Sequence, residues 1–122
     1  MSNNQSPIKY DLEERTLKFA KQVIILCKKL PSNTINFKLI DQLIRSAGSI
    51  GANYREANDS LGKNDFIHRL RIVRKEAKET IFWLELVKES NPEVKIDNLI
   101  NECIQLRNIF SYIIKKIELK KT

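Results

Sequence analysis

The residues of this sequence that come nearest to an acid–base or metal-binding group, His68, Glu76 and Glu79, lie close together in the chain. His68 is the only histidine, and its neighbours Arg69 and Arg71 disfavour the charged imidazolium. A zinc site needs further ligands, and no second ligand stands at a suitable spacing. We therefore predict that His68 is a surface or interface residue.

The carboxylates of Glu76 and Glu79 lie within one turn of a predicted helix. Such a pair can do acid–base work or hold metals between two helices of a bundle. A di-metal bundle needs additional Glu and Glu-x-x-His ligands, which the sequence lacks, so we predict no metal. A structural role is expected instead, in which the two carboxylates pair with Arg45 or hydrogen-bond to Ser49 and Asn53.

No motif for nucleophilic catalysis or cofactor binding is present. Ser46 and Ser49 have no general base at helical spacing. Some RNA-cleaving helical bundles place an arginine four to six residues before a histidine, where this chain has Leu61, Gly62 and Lys63. Phosphate-binding glycine loops and dinucleotide fingerprints are also absent. The sequence predicts a protein that is not an enzyme and needs no cofactor.

Basic residues recur on one face of the predicted third helix. Four follow i, i+3, i+4, i+7 spacing: Arg71, Arg74, Lys75 and Lys78. Arg69 and Arg55 are expected to support them. The four residues, called the basic stripe below, can track phosphates without reading a base sequence. The alternative is a solvated helix face with local i, i+4 pairs, in which Lys75 attracts Glu79 and Arg71 repels Lys75. Because of that repulsion, helix stability alone does not account for the stripe.

The chain has 122 residues and a net charge of +7, which favours a polyanionic partner. Its length fits one domain. Apolar residues recur every three or four positions in four segments, and Pro31, Gly62 and Pro92 stand between those segments. We predict an all-α, antiparallel up-down-up-down four-helix bundle over residues 11–120, after a disordered tail over residues 1–10.

The predicted core stripes consist of the following residues: Leu12, Thr16, Phe19, Val23, Leu26 and Leu30; Leu39, Leu43, Ala47, Ile50, Tyr54 and Ala57; Phe66, Leu70, Val73, Ala77, Thr80, Leu84 and Val87; Ile96, Leu99, Cys103, Leu106, Phe110, Ile113 and Ile117. Asp11, with Glu14, is expected to cap the first helix. Gly62 is expected to end the second helix, and Ser60 or Asn64 to cap the third.

The predicted second helix has small residues at its centre. Gly48 and Gly51 each cost a helix about 0.5–1 kcal/mol relative to alanine, which indicates a closely packed neighbouring backbone. Gly48→Leu is therefore expected to destabilise the bundle. Polar residues at helical spacing are expected to hold helices two and three together: Gln42, Arg45, Ser49, Asn53 and Glu56, facing Glu76 and Glu79.

Several isoleucines exceed what one core needs: Ile24, Ile25, Ile44, Ile100, Ile104, Ile109 and Ile114. Exposed members of this set would mark an interface, so a homo-oligomer is expected. Cys27 and Cys103 are expected to be buried free thiols. The polar first ten residues and the absence of a long apolar run predict a cytoplasmic protein without a membrane partner.

Two segments resemble a known family. They are QLIRSAGSIGANYREA, from Gln42 to Ala57, and KEAKETIFWLEL, from Lys75 to Leu86. Both are similar to the bacterial four-helix-bundle proteins encoded in intervening sequences of 23S ribosomal RNA genes, also labelled S23 ribosomal proteins. The resemblance spans about Asp11 to Leu119. The family commonly has proline where this chain has Gly51, and glycine where it has Ala57.

The resemblance implies a ring-like homopentamer without established enzymatic activity. It also implies similarity to the accessory protein of diversity-generating retroelements, a basic pentameric barrel that binds nucleic acid and a reverse transcriptase. Two functions remain open on this basis. One is an oligomer that binds the backbone of RNA or DNA, and the other is a scaffold that recruits a protein such as a polymerase.

Overall fold

Four helices make up the fold in a computed structural model that describes residues 7–121. They are α1 (Pro7–Lys29), α2 (Thr34–Asn58), α3 (Lys63–Ser90) and α4 (Asp97–Lys121). Each helix packs against the next, and α4 returns beside α1. Together they form the four-helix bundle that the sequence predicts.

Contacts between neighbouring helices show their antiparallel directions. Asn36 near the start of α2 bonds Asn91 just after α3, whereas Ser46 in mid-α2 bonds Thr80 within α3. As the residue number rises along α2, the number of its partner in α3 falls. The short connections between the helices fit the same up-down order.

The predicted core stripes of α1, α2 and α3 are buried, except that Leu39 and Phe66 are half-buried against the core. The stripe of α4 is rotated from its predicted position. Ile100 and Ile114, predicted as surplus, are buried, whereas Leu99, Ile113 and Ile117 are only partly buried. Adjacent positions on a helix lie about 100° apart, so a smaller rotation of α4 about its own axis is enough to exchange residues at the edge of the core.

Three of the expected helix ends are wrong. Helix α1 begins at Pro7 rather than at an Asp11 cap, and proline is favoured at a first helical position. Residues 7–10 thus extend α1, while the rest of the expected tail, residues 1–6, lies outside the described residues.

Gly62 does not end α2. The C-cap of α2 is Asp59, and Gly62 is the N-cap of α3, with a φ of 144° that favours glycine. Neither Ser60 nor Asn64 is the cap of α3. By contrast, Asn33 caps α2 through its side-chain oxygen, which accepts a hydrogen bond of 2.8 Å from the backbone N–H of Asn36.

Buried polar pairs join α2 to α3. The Thr80 hydroxyl donates to Ser46 Oγ at 2.9 Å. At the end of the bundle, Asn36 and Asn91 exchange two amide hydrogen bonds of 3.0 and 2.9 Å, and Asn36 also donates to the Pro31 carbonyl. Among the described residues, no buried side-chain nitrogen or oxygen lacks a hydrogen-bond partner. The α2–α3 contact is therefore a polar seam as well as an apolar one.

The close approach in α2 occurs at Gly51, not at Gly48. A Cβ at Gly51 would lie 3.0 Å from Thr16 Oγ1 on α1, whereas a Cβ at Gly48 would meet nothing within 4 Å. Gly48 is exposed. The expectation that Gly48→Leu destabilises the bundle is therefore wrong, because a side chain at Gly48 would extend into open space.

Three of the surplus isoleucines remain exposed: Ile24, Ile25 and Ile44. Cys27 and Cys103 are buried free thiols, as expected, and burial raises their pKa values to about 11 and about 12. Within residues 7–121, no helix is long and apolar enough to cross a membrane.

Leucine substitutions at the two glycines should separate their roles. Gly51→Leu is expected to lower the free energy of unfolding by at least about 1–3 kcal/mol, because its side chain would overlap buried Thr16. Gly48→Leu should leave the free energy unchanged or raise it by up to about 0.8 kcal/mol, since leucine favours the helix. Urea denaturation of dilute protein measures both values. Equal losses in the two variants would contradict this packing.

Candidate nucleic-acid interface

The basic stripe lies on the side of α3 that turns away from the core. Arg71, Lys75 and Lys78 are exposed, and Arg74 is half-buried. The buried positions of α3, such as Val73 and Ala77, lie on a different face of the helix. The sequence pattern thus corresponds to an accessible row of cations.

Only one member of the basic stripe forms a salt bridge in the described part of the chain, although Lys75 also interacts electrostatically with Glu79 at i+4. Arg71 forms an ion pair with Glu118 of α4. Arg74, Lys75 and Lys78 form no ion pair with any described residue. The three cations are available to an external anion without first breaking a salt bridge of that kind.

The two arginines expected to support the stripe lie elsewhere. Arg55 sits on the side of α2 that faces α1, where its guanidinium is 3.9 Å from the carboxylate of Glu13. Arg69 is half-buried and lies two residues before Arg71, about 200° around the helix. The sequence placed both close to the stripe because it does not show which neighbour each helix face meets.

Arg45 links α2 to α3. Its guanidinium is 3.5 Å from Glu76 and also pairs with Glu79, while its Nε donates to Gln42 at 3.3 Å. The two carboxylates therefore have a cation partner on the neighbouring helix. Paired with Arg45, the carboxylates of Glu76 and Glu79 connect α3 to α2 and do not form an open acid–base site.

Two further residues of the predicted polar set, Ser49 and Asn53, bond within α2. Ser49 Oγ donates to the Arg45 carbonyl at 2.9 Å, and the Asn53 amide donates to the Ser49 carbonyl at 2.9 Å. The Glu56 side chain is exposed. In the described region none of these three bonds to Glu76 or Glu79, so Arg45 is the bridging residue of the predicted set.

Glu79 has a second partner that the sequence analysis did not identify. Trp83 Nε1 donates to Glu79 Oε2 at 2.9 Å, and the Trp83 ring packs edge-on against Phe82, with ring centroids 5.2 Å apart. The indole hydrogen bond, aided by the Arg45 guanidinium, lowers the pKa of Glu79 below its ordinary value. The i, i+4 spacing of Glu79 and Trp83 was the signal available in the sequence.

No alternative reaction centre emerges from the remaining candidates. His68 is exposed near the start of α3. Ser46 is buried against Thr80, and no group of three or more metal-ligating side chains converges within the described residues. The basic stripe is the arrangement best suited to binding a ligand.

Fold and surface together define the class: an all-α four-helix bundle with an exposed row of cations on its third helix. Comparison of the sequence with protein families identifies one family within this class. The family model of the 23S rRNA-intervening sequence protein matches residues 9–111. The chain belongs to this family, which confirms the resemblance seen in the sequence.

A solved structure agrees with this assignment. The chain is similar to a protein of unknown function of the S23 ribosomal protein family from Bacteroides thetaiotaomicron, with 33% sequence identity and a TM-score of 0.79. The match covers 88% of this chain and 97% of that one. No curated protein matches the chain in sequence.

The Glu79–Trp83 contact predicts a pH-dependent signal from Trp83, the only tryptophan. Because the pKa of Glu79 is lowered on folding, its stabilisation is fully present above the ordinary value of 4.5 and is lost as pH falls through the lower folded value. Trp83 fluorescence should therefore change below pH 4.5.

A fluorescence titration of the folded protein measures this change. Glu79→Gln should abolish it, whereas the matched variant Glu76→Gln should retain it. An unaltered titration in Glu79→Gln would show that another group controls the Trp83 signal.

Proposed function

We propose that this protein is a non-enzymatic homo-oligomer that binds the phosphate backbone of RNA or DNA through the basic stripe of α3. The observation that carries the proposal is the set of three exposed or half-exposed cations that form no salt bridge among the described residues: Arg74, Lys75 and Lys78. Glu76 and Glu79, on the same helix, are neutralised from α2 by Arg45. The Arg45 guanidinium thus offsets the negative charge of these two carboxylates beside the stripe.

The spacing of the stripe suits a polyanion. From Arg71 to Lys78 the helix rises about 10 Å, so successive cations can follow several phosphates of one strand. Such contacts gain free energy from released counterions and do not depend on base sequence. The net charge of +7 acts in the same direction, and five subunits, the number implied by the family resemblance, would carry about +35.

Neutralising the unpaired cations tests this function. The triple variant Arg74→Gln, Lys75→Gln, Lys78→Gln should bind a labelled single-stranded oligonucleotide more weakly. The slope of log K against log salt should fall by about 2, since each lost contact to a single strand contributes about 0.7. Fluorescence anisotropy at several salt concentrations provides both quantities.

A matched variant controls for total charge. Lys18→Gln, Lys29→Gln, Lys38→Gln removes three exposed lysines from α1 and α2, so its net charge equals that of the stripe variant. Lys18 and Lys29 are chosen because Lys21 and Lys28 lie on the same face of α1 as Ile24. The control variant should retain most of the salt slope. Equal losses in the two triple variants would show that overall charge acts, without a specific stripe.

An apolar patch on α1 and α2 supports self-association. Leu17, Ile24 and Ile44 are 40%, 44% and 40% exposed. Because Gly51 of α2 lies opposite Thr16 of α1 and the helices are antiparallel, Ile24 and Ile44 come to about the same height. Exposed apolar groups that adjoin across two helices favour an interface with another chain.

Charges in that patch should dissociate the oligomer. Ile24→Glu, Ile44→Glu is expected to shift the mass in light scattering toward the single chain, because a buried carboxylate without a partner is costly. Ile25→Glu is the control and should keep the oligomer. Ile25 is also an exposed isoleucine of α1, but it lies about 100° around the helix from Ile24. A double variant with unchanged mass would exclude this patch as the interface.

A second candidate function is a scaffold for a protein partner. A groove of about 530 Å³ between α1 and the start of α4 favours it, with an apolar floor that includes Ile25 and Leu99 and a rim that includes Lys29 and Lys95. Under this alternative, neutralising the basic stripe would leave the essential interaction intact. The oligonucleotide measurement therefore discriminates between the two functions.

A further inference from the structure

Phe82 is an exposed aromatic residue in line with the basic stripe. It is 56% exposed and stands four residues after Lys78 and seven after Lys75, so the three side chains share one face of α3. The sequence analysis did not assign Phe82 a role. Its position at the end of a row of cations raises the question of which part of a nucleic acid it could contact.

The Phe82 ring is supported from one side by fixed neighbours. Trp83 meets it edge-on at an interplanar angle of 74°, and the Trp83 indole is tied to Glu79. Glu79 is in turn paired with Arg45 of α2, so the chain of contacts ends on another helix. An aromatic ring held in this way loses little conformational entropy when a ligand stacks on it.

The charge of the α3 surface changes sign at Phe82. Toward the start of α3 lie the cations Lys78 and Lys75, whereas Glu85 and Glu89 follow on the other side and are exposed. A phosphate backbone is attracted to the first side and repelled by the second. Phe82 therefore lies where a strand that follows the stripe must end or turn away.

These features favour a single strand over a duplex. Bases of a single strand are free to stack on an aromatic ring, while bases in a duplex are already stacked within the helix. About 16 Å separates Phe82 from Arg71 along α3, enough for about four or five phosphates of a stacked strand. The stripe can hold the backbone while Phe82 holds a base.

We propose that Phe82 is a base-stacking platform at the end of the basic stripe, and that the ligand of this surface is single-stranded RNA or DNA. The inference rests on the nucleic-acid function proposed above and deepens it. Phe82 acts through its ring face and makes no phosphate contact. Loss of the ring should therefore reduce affinity without changing the salt dependence of binding.

The test compares a labelled single-stranded oligonucleotide with a duplex of the same sequence, using the full chain. Phe82→Leu keeps an apolar side chain but removes the ring, and it should weaken single-strand binding by at least about 5-fold. The salt slope and the affinity for the duplex should stay unchanged. Phe82→Tyr, which keeps an aromatic face, should restore single-strand binding.

Phe37→Leu is the matched control, because Phe37 is 61% exposed on α2, outside the stripe. It should bind both oligonucleotides as the parent protein does. Equal affinities of Phe82→Leu and Phe37→Leu would overturn the stacking role and leave the nucleic-acid function standing. A parent protein that binds neither oligonucleotide would overturn the function itself. A changed oligomer mass in Phe82→Leu would assign Phe82 to a contact between chains, which also overturns the inference.

Discussion

The buried polar seam between α2 and α3 fixes the register on which the surface depends. Ser46 bonds Thr80 and Asn36 bonds Asn91, so the seam is specified at its middle and at one end. A shift of one helix along the other would break these interhelical hydrogen bonds, at a net cost of about 0.5–1.5 kcal/mol each, although the hydroxyls also bond carbonyls of their own helices. Apolar contacts alone discriminate less sharply between registers, because they are not directional.

This register carries through to the outer face of α3. It brings Arg45 beside Glu76 and Glu79, and Glu79 then holds the indole of Trp83. The carboxylates of α3 are thereby neutralised on the α2 side, while the basic stripe keeps its charge. One helix can thus serve both as a structural element and as a binding surface.

The two sets of interactions respond differently to salt. Hydrogen bonds of the buried seam are shielded from solvent ions, whereas contacts of exposed lysines with phosphates weaken steeply as salt rises. Folding and binding are therefore separable in experiment. Under the proposed function, we expect salt to release a bound nucleic acid without unfolding the bundle.

Periodicity in the sequence was sufficient to predict the number and order of the helices and the inward faces of α1, α2 and α3. Residues such as Phe19, Leu43 and Leu70 recur at steps of three and four and are buried as expected. Family membership was also accessible, because the segment around Ser49 and Ala52 and the segment around Glu76 and Trp83 carry it. These features depend on local pattern.

What the sequence could not supply is the side of a helix that each neighbour covers. Gly48 and Gly51 look equivalent in the sequence, yet only Gly51 meets a packed side chain. Arg55 looked close to the basic stripe but pairs with Glu13 on α1. Gly62 suited either the end of α2 or the start of α3, and the backbone at φ 144° selects the latter. Each outcome depends on distances between helices that residue spacing does not contain.

The central claim is that this bundle holds nucleic acid as an assembly of several chains. It is tested most directly by purifying the protein without nuclease at low salt and recording light scattering with absorbance at 260 and 280 nm during gel filtration. The account predicts a multi-chain mass with excess absorbance at 260 nm that high salt removes. A protein-only spectrum at low salt, even after RNA and DNA are added back, would contradict it.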